Sequence, residues 1–385
     1  MKNKILFIVE ADLKSGSGKC AWELIKLTKQ RTEFIPSVIT QHHNDLNDAC
    51  SALCIENYST HYARTCSLGM GWLGWVIAFC CRPFLNYLSF IKLKKRIDFN
   101  SICIIHSNSS SIDFGAYLHK KLHIPHIWHI REFFVYPQWK PLVPNFHTYI
   151  AKNATIVITV SNLLKKHLLS KKDFNNIQAI YDGVPTPKEQ ADLKKNLNTN
   201  ILRIVCVGNL APIKGQDFLL ESLALLQPEI LNKISIDFFG DFVGKDDYKK
   251  RLDSIIKKHS LEKNIRFLGF CDNIQTKLVD YDVGIQPSHS EGFSRVTVEY
   301  MLAGLCVIGN GNTAIQELVD HEKTGFLYND LDSQKLAHYI AFCYRNRDTI
   351  KEMGNYGRKK AIENYCIEKN FDKLMNVYNH ISTHQ

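Results

Sequence analysis

Two doubly wound α/β domains facing across a cleft are the architecture this sequence predicts, and three observations carry it. Short apolar runs alternate with longer helix-patterned stretches along the whole chain, as buried parallel strands joined by crossover helices require. The 385 residues exceed what one ordinary core supports and suit two domains of under ~200 residues each. The turn-rich segment YDGVPTP at 181–187, followed by the polar stretch KEQADLKKNLNTN, separates two similar alternations. The boundaries expected are 1–184, 185–365, and a C-terminal helix at 366–385 that returns towards the first domain.

In the first half the strand-like runs are KILFIVE, FIPSVIT, SICIIHSN, HIWHIR and TIVITVS. The start, MKNKILFIVEAD, holds only five consecutive apolar residues, too few for a signal-peptide core, and reads as a first buried strand. After it, SGSGKCAWELIKL is a glycine-rich loop entering a helix whose apolar face begins with Trp22 and Leu24. It is not a P-loop, because Leu13 stands where the first glycine belongs and Cys20 replaces the metal-binding hydroxyl. SNSSSIDFGAYLHKKL at 107–122 leads a polar loop into a helix, with Ser110 and Asp113 as capping residues. Leu68 to Cys81, LGMGWLGWVIAFCC, is short, glycine-interrupted and followed by Arg82 and Pro83. It reads either as a buried core helix or as a surface that meets a membrane. No segment reaches the roughly eighteen uncharged apolar residues of a spanning helix. The second half repeats the scheme with ILRIVCVG, KISIDFFG, IRFLGF, VGIQPS, LCVIGN and GFLY.

The net charge of +10 is unevenly placed: residues 1–190 hold 23 Lys and Arg against 13 Asp and Glu, and the remainder balances. A basic first half implies an anionic partner. No helix-turn-helix, zinc-finger or RNP-type pattern accompanies the charge, which ranks nucleic acid below a phosphorylated acceptor or an anionic membrane surface. The twelve cysteines form no C-x-x-C pair and read as reduced core residues of a cytosolic protein.

The chemistry is most visible at 290–304, SEGFSRVTVEYMLAG. Glu291 and Gly292 end a loop, Ser294 is placed to cap a helix, and Glu299 lies inside it. A glycine before a helix start lets a ligand approach the backbone, and the helix N-terminus favours an anion. Two carboxylates flanking that point suit a phosphate with hydroxyls at both ends, as in a nucleotide-diphosphate sugar. Upstream, GNLAPIKG at 208–215 joins a strand to a helix and places Lys214 where it can reach an anion. His123, His126 and His129 invite a metal reading, but Pro125 and the β-branched neighbours indicate a strand, where residues three apart face opposite ways. No metal is expected.

The E-x7-E spacing within EGF…VEYMLAG resembles the signature of retaining glycosyltransferases of family 4 (glycosyl transferases group 1), whose GT-B fold pairs two Rossmann-like domains. VGNLAPIKGQDFLLESL, AIQELVDHEKTGFLY, TVSNLLKKHLL and IYDGV fit the same family. The resemblance implies that the first domain binds acceptor and the second binds the nucleotide sugar. It places Glu291 at the donor sugar with the backbone of Gly292, Phe293 and Ser294, and Glu299 at the ribose hydroxyls. Lys214 becomes a diphosphate ligand, Gly269 and Phe270 border the base, and Gly16 and Gly18 face the donor phosphate and acceptor. His129, at the end of IWHIRE, would hydrogen-bond beside the reacting carbon without acting as nucleophile, with Arg131 and Glu132 at the same strand mouth. The catalytic set is therefore Glu291, His129 and Lys214. One departure stands out: family members often carry arginine where this chain has Asn209, and Arg295 in the first helical turn is the candidate replacement.

The resemblance implies transfer of a hexosyl unit to a glycan or lipid-linked acceptor, with retention and without metal or other cofactor, in cell-surface polysaccharide synthesis. The expected setting is cytoplasmic, on the inner face of the cytoplasmic membrane. Two rivals remain: another GT-B activity such as sugar-nucleotide epimerisation, and a silent nucleotide-sugar or glycan-binding protein suggested by Asn209.

Overall fold

The computed structural model describes residues 3–68, 71–133, 139–170, 173–186, 200–244 and 247–383. Pro187 and most of the polar stretch after it, together with Met1, Lys2, Gly69 and Met70, lie outside the described residues. Two compact units result: Met1–Asp182 with Asn370–Gln385, and Gly183–Lys369.

The first unit runs β1 (Lys4–Val9), α1 (Gly16–Arg31), β2 (Ile35–Thr40), α2 (Asp45–Ala52), β3 (Glu56–Ser59), β4 (Cys66–Leu68), α3 (Trp72–Lys94), β5 (Ile102–Ser107), α4 (Phe114–Leu122), β6 (His126–Ile130), β7 (Trp139–Pro141), α5 (Phe146–Lys152), β8 (Ile156–Thr159), α6 (Asn162–Leu169) and β9 (Ile177–Ala179). Seven strands form one parallel sheet in the order β3, β2, β1, β5, β6, β8, β9, while β4 and β7 pair antiparallel apart from it. Helices cover a sheet whose central residues, among them Ile5 to Val9 and Ile102 to Ile105, are buried throughout. Such continuous apolar runs are what a parallel strand covered on both faces needs. Strand order reverses between β1 and β5, so the loops after them part at the carboxyl edge, where doubly wound sheets take ligands.

The second unit runs β10 (Leu202–Val207), α7 (Gln216–Leu223), α8 (Pro228–Leu231), β11 (Ile234–Phe239), α9 (Asp247–Lys258), β12 (Ile265–Phe267), α10 (Gln275–Leu278), β13 (Val283–Gln286), α11 (Arg295–Leu302), β14 (Cys306–Asn310), α12 (Ile315–Leu318), β15 (Gly325–Tyr328), α13 (Ser333–Arg345) and α14 (Arg347–Asn364). Its six-stranded parallel sheet has the order β12, β11, β10, β13, β14, β15, with the reversal between β10 and β13. Ile204, Ile236, Ile285 and Ile308, one from each of four strands, share one buried cluster with Leu219 and Leu223 of α7. The last helix, α15 (Ile367–Thr383), contributes its residues from Asn370 onward to the first unit.

The α/β class and the main strands agree with the sequence reading, but three local readings need correction. Asp113 sits at the N-terminus of α4 without capping it by its side chain. Its buried carboxylate instead takes Arg82 Nη1 at 2.8 Å, Asn86 Nδ2 at 2.7 Å and Tyr149 Oη at 2.6 Å. Ser110 likewise donates to Glu132 from its backbone and its hydroxyl. Finally, the run expected to stop before Pro83 continues as α3 to Lys94, and it is not core: Trp72, Leu73, Ile77, Phe84 and Leu88 are exposed. Pro83 stands inside this helix on its exposed side, so its ring does not have to fit the packed flank. Among the described residues this is the one helix long and apolar enough to cross a membrane by length and composition.

Candidate active site

The second unit gathers charged groups at the carboxyl ends of β10 and β13, the switch point of its sheet. Beyond β10 the chain turns through Gly208 to Gly215. Gly215 has φ 69° and packs so closely that a Cβ would lie 2.3 Å from the Pro287 carbonyl oxygen. Only glycine fits there, and the fit locks the β10 loop against the β13 loop. His289 N–H donates to the Ile213 carbonyl at 2.9 Å and ties the same two loops again. As a result Lys214 Nζ meets Glu291 Oε1 at 2.6 Å, and Gln286 Nε2 donates to the same oxygen at 3.2 Å. The side chains of Lys214 and Glu291 are 29% and 12% exposed, so the pair is partly withdrawn from water yet open on one side.

Helix α11 begins at Arg295. Ser294 occupies its N-cap position with φ 73° and ψ 77°, a left-handed conformation unusual for a residue with a side chain. It makes no side-chain cap; its hydroxyl pairs with Thr297 Oγ1 at 2.9 Å. The expected cap is thus corrected: the Ser294 side chain does not close the first turn. One helical turn on, Glu299 Oε1 stands 4.0 Å from Arg295 Nη2, and both side chains are 12% exposed. In this order, cation before carboxylate, the pair runs against the helix dipole, and Arg295 sits at the helix's positive end. Two cations and two carboxylates therefore line the same strand-to-helix turn region of this unit.

Other predicted residues divide by what the backbone leaves available. Asn209 is exposed and its carbonyl accepts from Gln216 Nε2 at 3.0 Å. The Phe293 ring is buried against Tyr365, so this residue can serve a ligand only through its backbone. Gly269 has φ 72° and its carbonyl accepts from Gly240 N–H at 2.9 Å, while Phe270 N–H donates to Asp241 Oδ1 at 3.2 Å. The partly exposed Phe270 ring is then the group at that loop able to border a planar ligand.

The first unit holds a separate constellation at the carboxyl ends of β1, β5 and β6. Gly16 and Gly18 lie in the first turn of α1, not in a loop before it. Ser15 caps that helix, accepting from Gly18 N–H at 3.0 Å, and a Cβ on Gly18 would lie 1.7 Å from the Asp12 carbonyl oxygen. His123 is at the left-handed C-terminus of α4 and exposed to solvent in part. His126 is buried between the Asn153 carbonyl at 2.7 Å and Ser107 Oγ at 2.9 Å, and burial pulls its pKa down to about 3. These two histidines are apart from His129, which points to the other face of β6.

His129 is held by groups whose protons can be assigned. Arg131 Nη2 lies 3.4 Å from His129 Nδ1, and a guanidinium only donates. His106 Nε2 approaches the same Nδ1 at 3.3 Å, and Tyr378 Oη lies 2.6 Å from His106 Nδ1. Burial first, and then the nearby Arg131 charge, push both histidines well below their ordinary pKa, so both are neutral. With Nδ1 of His129 accepting, its one proton is on Nε2, His106 must donate from Nε2, and Tyr378 must donate to His106. Nε2 of His129 is buried and has no hydrogen-bond partner. The ring of His129 is therefore a neutral Nε2–H tautomer, not a base or a cation. Arg131 is fixed by Asn108 Oδ1 at 2.9 Å and by an ion pair with Asp182, and Asp182 also accepts from Cys20 Sγ at 3.3 Å. Glu132 is occupied by Ser109 and Ser110. Sequence reasoning singled out none of His106, Asp182 and Tyr378, although His106 stands near the end of an otherwise apolar strand and Asp182 within IYDGV.

Residues 187–360 match the family model for glycosyl transferases group 1, and residues 71–188 match glycosyltransferase family 4. The chain belongs to the family 4 type of GT-B glycosyltransferases. An uncharacterized glycosyltransferase of Haemophilus influenzae is 26% identical over 55% of this chain and 58% of its own length. The capsular polysaccharide biosynthesis glycosyltransferase CapH of Staphylococcus aureus is 30% identical over 38% of this chain and 40% of its own. The chain thus spans about half the length of these curated relatives. Among solved structures, Anabaena HepE in complex with UDP superposes with a TM-score of 0.79 at 20% identity, over 98% of this chain and all of that one. At that identity the likeness speaks for the GT-B fold.

Proposed function

We propose that this family 4 chain is a retaining, metal-independent hexosyltransferase that moves a sugar from a nucleotide diphosphate to a hydroxyl of a glycan or lipid-linked acceptor. The observation that carries the reading is the paired arrangement Lys214 with Glu291 and Arg295 with Glu299 at the switch point of the second unit. Each cation stands beside a carboxylate that balances it. A nucleotide sugar offers the matching exchange: its diphosphate takes Lys214, Arg295 and the uncapped start of α11, and its hydroxyls take the two carboxylates. Glu291 and the backbone from Gly292 to Ser294 meet the sugar, Glu299 the ribose, and the Phe270 loop the base. Asn209 leaves the cationic work to Lys214 and Arg295.

Chemically, the largest contribution comes from stabilising the negative charge that builds on the departing diphosphate, with fixed cations in a partly dry site. The leaving diphosphate then takes the proton of the attacking hydroxyl on the same face of the sugar, which yields retention. His129 contributes a neutral Nε2–H to a substrate oxygen. Gly16 keeps the start of α1 open towards the donor phosphate and acceptor, and Gly18 lets that turn close on the Asp12 carbonyl. The capsular role in the name of CapH supports a place in cell-surface polysaccharide synthesis, and the basic first half supports an acceptor met at the inner face of the cytoplasmic membrane.

The test is consumption of nucleotide sugars, with UDP-glucose as first probe because HepE has been crystallised with it, followed by the anomeric configuration of the product. Release of nucleoside diphosphate with an α-linked product from an α-linked donor is expected. Interconversion of the free nucleotide sugar would favour an epimerase, and tight donor binding with no turnover or hydrolysis on any acceptor pool would favour a silent binder.

A further inference from the structure

Helix α3 is built inside out. Between Trp72 and Ile91 its one charged residue, Arg82, and its one amide, Asn86, turn into the first unit, where both bind the buried Asp113 carboxylate. Ser89 donates to the His61 carbonyl and Trp75 Nε1 to the Pro141 carbonyl at 3.0 Å. The opposite face repeats at helical spacing as Leu73, Ile77, Cys80, Phe84, Leu88 and Ile91. Leu73 is 67% exposed, Phe84 62% and Ile77 55%, and Trp72 beside them is 75% exposed. A water-facing helix places its charged and amide residues outward; here Arg82, Asn86 and Ser89 face inward and are used up, and Tyr87, 46% exposed, adds an amphipathic ring to the outward side.

We propose that α3 lies in the plane of a lipid bilayer, its outward face within the acyl region and its C-terminal end against anionic headgroups. Two further observations choose the bilayer. The helix ends in Lys92, Lys94, Lys95 and Arg96, and α4 packs alongside in the same direction, as Arg82 meeting Asp113 and Lys121 lying over the Phe90 ring show. Exposed Lys121 therefore joins the same end, while Lys120 turns back over the Tyr149 ring, giving five cations where an apolar face stops, the arrangement that attracts an anionic surface. From Trp72 to Ile91 the outward face, about 30 Å long for 20 residues, carries no charged or amide side chain, whereas a protein interface of that extent keeps a polar rim. Because the inner flank of α3 is hydrogen-bonded to its own unit along its length, the helix lies on the membrane and does not cross it. The inference deepens the membrane-side acceptor in the proposed function and rests on that reading only for its purpose.

Flotation of the full chain with vesicles of neutral phosphatidylcholine, alone or with phosphatidylglycerol, tests it. Binding is expected to both, tighter with the anionic lipid, and to survive about 1 M salt, where charge attraction is screened within ~3 Å. Leu73→Ser, Ile77→Ser and Phe84→Ser are each expected to weaken binding roughly tenfold, the scale of one buried apolar side chain. Brominated acyl chains are expected to quench Trp72, and the quenching to fall in Trp72→Phe. A wild-type chain that stays unbound, or binding that salt abolishes and the serine variants do not change, would overturn the proposal. So would a soluble dimer that the same serine substitutions dissociate, since the occupant is then a second copy. Donor titration on the same preparations separates the two readings: lost vesicle binding with intact donor binding refutes this inference alone, and the reverse refutes the proposed function alone.

Discussion

Replacing Tyr378 by Phe removes one hydroxyl from the chain of donors that sets the protonation of His129. In the wild type Tyr378 Oη lies 2.6 Å from His106 Nδ1, and His106 has no exposed surface. The variant leaves Nδ1 of His106 buried without a donor, a loss of about 1 to 3 kcal/mol for an unpaired polar atom. Nothing else in the packing need change, because Phe keeps the ring that lies edge-on to His106 at 5.8 Å and to Phe34 at 6.2 Å. Denaturant titration reads the stability. Nitrogen shifts of histidine labelled with 15N read the tautomers, which a purely structural role for Tyr378 would not move. Both His106 and His129 are expected as neutral Nε2–H tautomers in the wild type. His106 is expected to become mixed in the variant, and His129 to keep its tautomer more weakly, through Arg131. An Nδ1–H tautomer at His129 in the wild type, or a variant within ~0.5 kcal/mol of wild type, would refute the reasoning.

If Arg295 supplies the cation absent at 209, Arg295→Ala is expected to cost roughly 1.5 to 3 kcal/mol of diphosphate affinity, and Asn209→Arg to restore part of it. Unchanged affinity for uridine, guanosine and adenosine diphosphates would remove the idea. His106, His126 and His129 all have folded pKa values below the ordinary 6.5, so the unfolded chain binds more protons as pH falls. Their contribution is complete above pH ~6.5 and is lost below it by roughly 1 kcal/mol per pH unit per histidine. Denaturant midpoints that do not fall between about pH 6.5 and 5 would contradict their burial as neutral groups. Gly18→Ala places a carbon 1.7 Å from the Asp12 carbonyl and is expected to destabilise the first unit by at least ~2 kcal/mol, measurable by the same titrations.

The alternation of strands and helices was legible because buried parallel strands must be continuously apolar, as β1, β5 and β10 largely are. Edge strands carry no such demand. Glu56–Ser59 reads ENYS and forms β3 through its backbone alone, which is why no pattern announced it. At the candidate site, the Lys214 and Glu291 loops stood out because they carry glycine and turn chemistry next to strong strand patterns, and Glu299 through its spacing from Glu291. The Tyr378 contact could not, since it joins residues 272 apart in the chain. Ser294 and Asp113 show the limit of local signals: both stand where a cap belongs, yet stronger side-chain partners claim them. Likewise the apolar content of 72–91 was plain, but which of its faces turns outward depends on Asp113, and that is a tertiary fact.

The measurement that bears most directly on the donor site is calorimetric titration of Glu291→Gln and Glu299→Gln with a nucleotide sugar and with its free nucleoside diphosphate. Glu299→Gln is expected to weaken both ligands alike, because its carboxylate is assigned to the ribose that they share. Glu291→Gln is expected to weaken the sugar-bearing donor selectively. Equal losses for both variants on both ligands, or no loss for either, would contradict the assignment of these two carboxylates to opposite ends of a nucleotide sugar.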